Sequence, residues 1–273
     1  MTDKILEAAE LVTCKRYWNS ETRRSLQRSI EELVSKGMDS TAATIIAVRY
    51  DLSIIPRVIE YKFNNETYVG LDPNMAKNQE ISQFEMMKLL IPDFFPTNYD
   101  YLVNKKNIEP IEAGILIASK DYSGEGDVTE ETIALYHGLC EEAEFSPRTA
   151  ARLTATYLYT FNMLDDRDDP DIHIRTQLKA MRRMKEEGLS EESGGIMVSS
   201  PEDRIGILEH SGSLLTYPTI ASLNRLQRYW KIPEVAATTI ASSTAYKQRN
   251  SLGKIRMIAE FYRELNNLKH QDS

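Results

Sequence analysis

The side chains best suited to chemistry in this sequence are cations set among aromatic rings. Arg175, Lys179, Arg182 and Arg183 fall at the i, i+4, i+7, i+8 spacing that gathers them on one face of a helix. Downstream come Arg225, Arg228, Tyr229, Trp230 and Lys231, then Tyr246, Lys247 and Arg249, and Arg152 and Arg49 add to the same charge. Guanidinium and ammonium groups neutralise phosphates, and rings give bases a surface to stack on, so this pattern points to single-stranded nucleic acid. The competing reading, four cations on a solvated helix face, draws support from the chain's net charge of −8. A second chemical feature is acidic: Asp165-Asp166-Arg167-Asp168-Asp169, followed by Pro170. Clustered carboxylates can hold Mg²⁺. They also stabilise the N-terminus of a following helix through its dipole, and that helix-boundary role is the preferred one.

Other chemistries find little to work with. The histidines stand at 137, 173, 210 and 270, with no pair at helical metal-ligand spacing. Cys14 and Cys140 are far apart and read as two buried thiols of a reducing compartment. There is no Gly-x-Ser-x-Gly elbow and no Gly-rich loop opening a helix; the pair Gly194-Gly195 lies in a Ser/Gly/Glu-rich stretch. The expectation is a protein that is not an enzyme and needs no cofactor.

The elements that must carry these side chains are mostly helices. Residues 3–18 place Ile5, Leu6, Ala9 and Val12 on one side, a candidate exchange arm. Ser20 is a plausible cap for a helix with Leu26, Ile30, Leu33 and Val34 in register and Gly37 as its stop, and Asp39 or Ser40 caps the next, Ala42–Tyr50. Residues 57–71 alternate apolar and polar around Asn64-Asn65 and predict a β-hairpin. Ile81, Phe84, Met87 and Leu90 resume the helical stripe, and Pro110 and Thr129 open two further helices. Ser146-Pro147 starts a helix so widely apolar that it belongs in the middle of the domain. Residues 188–200 read as a mobile linker, and three helices follow: 218–230, 233–247 and 251–268.

The architecture expected is therefore mainly α, two-lobed, with one small hairpin: an arm over 1–20, an N-terminal lobe over 21–144 and a C-terminal lobe over 145–273. At 273 residues the chain can bury a substantial core. Its charge is polarised, with 25 acidic against 15 basic side chains in residues 1–144 and 16 against 18 in the rest. No apolar run suffices to span a bilayer and Met1-Thr2-Asp3-Lys4 is not the start of an export signal, so no membrane partner and a cytoplasmic location are expected.

Two resemblances extend this reading. Asp165-Asp166-x-x-Asp169 resembles the Asp-rich motif of class I terpene synthases and prenyltransferases, which implies an alternative Mg²⁺-dependent prenyl-diphosphate enzyme. The Asn-x-x-x-Ser-x-x-x-Glu partner motif of that family is missing, Asn250 being followed by Lys254 and Ile258. Thr44-Ile45-Ile46-Ala47-Val48-Arg49-Tyr50, and Ile81-Ser82-Gln83-Phe84-Glu85-Met86-Met87 before Pro92, look similar to early core helices of bunyavirus-like (phenuivirus and tenuivirus) nucleocapsid proteins. That likeness covers about a quarter of the chain; the hairpin, the C-terminal extension and the net acidity depart from the usual pattern. It implies a viral protein, in host cytoplasm and virion, that self-associates into homo-oligomers and coats single-stranded RNA. Phosphate contacts are then expected at Arg152, Arg175, Lys179, Arg182, Arg183, Arg225, Arg228, Lys247 and Arg249. A helical adaptor without a nucleic-acid role is the third reading.

Overall fold

Helix boundaries follow the capping chemistry of the sequence. A computed structural model describes residues 2–51, 54–56, 58–63, 66–71, 80–91, 93–118, 130–163, 170–199 and 216–270. Helix α1 (Thr2–Thr13) leads into a 3-10 turn, Lys15–Trp18. Helix α2 (Ser20–Ser35) is capped one residue earlier than expected, by the Asn19 side chain accepting from Glu21 N, and Gly37 with φ +92° follows its end. Asp39 Oδ1 accepts from Thr41 N and Ala42 N and so caps α3 (Ser40–Asp51).

After α3 the backbone forms strands β1 (Ile54–Pro56), β2 (Val58–Phe63), β3 (Glu66–Leu71) and β4 (Glu80–Ser82). Strand β1 runs antiparallel to β4, and β2 to β3 with Val58 opposite Leu71. The side chains of this stretch lie outside the described residues, so the hairpin expected there does not enter the account of the core. Then come α4 (Gln83–Leu90), α5 (Phe94–Asp100) with a π-helical turn at Tyr101–Lys105, α6 (Pro110–Ala118) and α7 (Glu130–Glu141). The chain continues through α8 (Pro147–Met163), α9 (Pro170–Glu186), α10 (Glu191–Ser199), α11 (Thr216–Trp230), α12 (Glu234–Ser242), α13 (Thr244–Lys247) and α14 (Ser251–His270). The protein is mainly helical. No helix among the described residues is long and apolar enough to cross a membrane.

The core is built around the first helix. Leu6, Ala8, Ala9 and Val12 of α1 are fully buried, and α1 packs on α3, α12 and α14. Residues expected to form a free arm are thus interior. Four apolar side chains on one helix find their cover in helices from both halves of the chain, and no apolar face of α1 is left to exchange. Helix α6 is buried along its whole length between α3 and α8. A Cβ at Gly114 would stand 2.8 Å from the Ala42 backbone, so glycine there sets the close approach of α6 to α3.

The mobile linker expected at 188–200 is likewise corrected. Glu191–Ser199 is helix α10, with Ser193 to Val198 buried. Its glycines serve packing: a Cβ at Gly195 would lie 3.2 Å from Thr149 Cγ2, and one at Gly194 3.3 Å from Met181 and Met184. Small residues here let α10 nest against α8 and α9, and the composition that suggested flexibility is the condition for contact. Carboxylates then stitch helix starts together across residue 145. Glu191 accepts from Ser146 N and Oγ at the head of α8, and Glu234 from Ser190 N ahead of α10. Arg148 reaches Asp3, Glu112 and Glu192, each at 3.3 Å, tying α1, α6, α8 and α10. The two lobes expected to meet near 145 therefore share one core.

Candidate anion-binding site

Site geometry begins where the 3-10 turn meets the start of α14. Trp18 ends the turn and presents its indole to two arginines: the Arg249 guanidinium carbon lies 3.9 Å from the ring centroid, and that of Arg256 5.6 Å away. Both distances fall within the range of cation–π attraction. Asn250 caps α14 by accepting from Gly253 N at 2.9 Å. The bare Cα of Gly253 makes room for the stem of Arg249, since a Cβ there would come within 3.1 Å of Arg249 Cβ and 3.3 Å of its Cγ. The local fold thus holds Arg249 over the ring.

Two donors at this point are shielded from solvent and find no acceptor among the described residues, Trp18 Nε1 and Arg249 Nε. Burial, and then the charge of Arg256, hold the Arg249 guanidinium below the usual arginine range. The nearest carboxylates of α14 are engaged elsewhere. Glu264 takes hydrogen bonds from Tyr17 and Arg23, and Glu260 from Tyr17 with an ion pair to Arg263. Neither Arg249 nor Arg256 has a carboxylate within ion-pairing distance among the described residues.

The positive strip continues around the end of α13. Lys254 Nζ lies 4.8 Å from the centroid of the Tyr246 ring. Burial raises the Tyr246 phenol above the usual tyrosine range, while the positive charge of Arg225 on α11 pulls it down. Arg228 and Tyr229 on α11 and Lys231 just beyond it are exposed, Tyr229 to 79%. The result is an arc of Arg225, Lys254, Arg249 and Arg256 interleaved with Tyr246 and Trp18.

The structure sorts the expected phosphate contacts into groups. Arg225, Arg249 and the half-buried Lys247 lie on or beside this arc, and Arg228 stands exposed one turn along α11. Lys179 and Arg182 are exposed on α9 and Arg183 is half-buried, but α9 packs on α8 and α10 and forms a separate basic face. The Arg175 side chain and the acidic knot at Asp165–Asp169 lie outside the described residues. Arg152 is a correction. Its side chain is only 11% exposed and pairs with Glu10 of α1 at 3.7 Å, so it serves the interior. Burial raises the Glu10 carboxyl and Arg152 pulls it back down, as for any charge pair withdrawn from water.

Trp18, Lys254 and Arg256 were not among the expected contacts. Arg256 stands seven residues after Arg249, two helical turns along, which is a spacing the sequence does show. Nothing in the sequence links either to Trp18, more than two hundred residues upstream. Among the described residues no cluster of three or more potential ligands forms a metal site. No family model, curated protein or solved structure matches the chain.

Proposed function

We propose that the protein is nucleocapsid-like: it self-associates and coats single-stranded RNA in the cytoplasm, holding backbone phosphates on the arc that runs from Arg225 to Trp18. One observation carries this reading. Arg249, Arg256 and Lys254, which fold beside rings, have no carboxylate partner among the described residues, an arrangement that suits a chain of phosphates and bases. A structural role for such charges normally brings an acid to each, as it does for Arg23, Arg148 and Arg263 in the same molecule. The exposed cations of α11 extend the arc, and the rest of the surface, net acidic, leaves room for like copies to line up along one strand.

The test is direct binding of an unstructured RNA oligonucleotide across a salt series. Wild-type affinity should fall steeply with salt, with a slope of about 0.7 in log–log units per phosphate contact. Arg225→Gln together with Arg249→Gln should weaken binding and flatten that slope by about 1.4, whereas Arg152→Gln should act on stability instead. Purified protein that shows no RNA association at low salt, before or after nuclease treatment, would overturn the reading.

A further inference from the structure

The arc is not uniform, and the Trp18 end of it is built differently from the rest. At Tyr246 one cation, Lys254 of α14, lies over the ring. Around Trp18 two guanidinium groups share one indole, close enough for each to feel the other's charge. The shielded Trp18 Nε1 and Arg249 Nε add donors without acceptors to the same few ångströms. The positive end of the α14 dipole points there as well, since Asn250 caps that helix between the two arginines. Donors predominate at this spot, and the carboxylates of α14 that could have balanced it are bound to Tyr17, Arg23 and Arg263.

An internal phosphodiester carries one negative charge and satisfies one arginine. A phosphate monoester carries close to two at neutral pH and three acceptor oxygens, which matches two guanidinium groups gathered at one indole. We propose that Trp18, Arg249 and Arg256 form a site for a phosphate monoester dianion, the terminal phosphate of a strand or of a nucleotide. The inference rests on the anion-binding reading above and names the group that one end of the arc selects. Arg249, pinned by its contact with Trp18 and by the space at Gly253, is the fixed half of the clamp. Arg256, exposed seven residues further along, is the half that closes on the ligand.

The indole supplies its own reporter. The chain has two tryptophans, so Trp230→Phe leaves Trp18 as the sole source of indole emission. In that background the emission is titrated with inorganic phosphate, with a nucleoside 5′-monophosphate, and with matched RNA oligonucleotides bearing a 5′-phosphate or a 5′-hydroxyl. The expected result is a saturable change in emission, with the 5′-phosphorylated strand binding at least about tenfold tighter than its hydroxyl twin. Arg256→Gln should erase that preference, whereas Arg225→Gln should weaken both strands alike. The preference should also fade as pH falls through about 6, where the monoester dianion takes up one proton and becomes a monoanion. Equal affinity for the two strands would overturn the monoester site while leaving RNA coating intact. Saturable binding of the mononucleotide without binding of either strand would leave the site standing and overturn RNA coating. Trp18 emission that responds to none of the four ligands would overturn the site outright.

Discussion

Gly253 decides how Arg249 lies. Its missing Cβ leaves the space that the arginine stem occupies, at distances of 3.1 and 3.3 Å that a methyl group would have to share. Gly253→Ala gains helix propensity, worth up to about 1 kcal/mol, and spends it on a displaced guanidinium. Thermal melting should therefore show little loss or a small gain, while RNA affinity falls several-fold. A variant that melts earlier and binds normally would contradict this geometry. Glu7 offers a second test of single-residue chemistry. Burial pushes its carboxyl above the usual range, against hydrogen bonds from Ser40, Thr41 and Thr44. A raised folded value means that its contribution to stability is full at acid pH, below the ordinary glutamate range. That contribution is lost as pH rises through the folded value. Glu7→Gln should accordingly flatten the pH dependence of Tm on the alkaline side of that range and leave the acid side nearly unchanged. At this scale the sequence shows which side chains are cationic, as with Arg225 and Arg249, but not what each one faces. It was misleading where function rests on a distant partner: Arg152 looked like its neighbours in the basic set until Glu10, on another helix, claimed it.

Helix ends were the most legible elements, because caps and stops are local chemistry. Asp39 at α3 and Gly37 after α2 behave as their residue types require, and α2 is shifted by only one position, to Asn19. Glycine inside an element was the least legible, because its meaning depends on what approaches it. Gly194 and Gly195 suggest a linker when read along the chain, yet in space they are where α10 meets Met181, Met184 and Thr149. Gly114 tests the same physics in α6. A methyl group there would meet Ala42 Cα and Cβ at 2.8 Å, with backbone on one side and a rigid buried helix on the other. Gly114→Ala should cost about 1 to 3 kcal/mol in denaturant unfolding, despite alanine's better helix propensity. An unchanged or raised midpoint would show that α3 and α6 can slide apart.

At the scale of the molecule, α14 presents two apolar faces and covers only one. Met257, Ile258, Phe261, Leu265 and Leu268 are buried on the side where α14 packs on α1. Leu252 and Ile255, three apart on another side, are 78% and 48% exposed, and further along that side Tyr262 donates to the Trp230 carbonyl. Ile255 falls in the three-and-four apolar repeat of the helix, yet it is exposed. Self-association under the proposed function has this strip as its natural surface. Leu252→Asp with Ile255→Asp should shift sedimentation toward monomer without lowering Tm, and unchanged sedimentation would place the contact elsewhere. The strip's counterpart, the buried side of α14, has a different consequence. Leu6, Ala9 and Val12 are covered by α12 and α14, which are translated more than two hundred residues later. A nascent chain must therefore carry an exposed apolar helix until α12 and α14 have been made. That ties completion of this core to the arrival of α14.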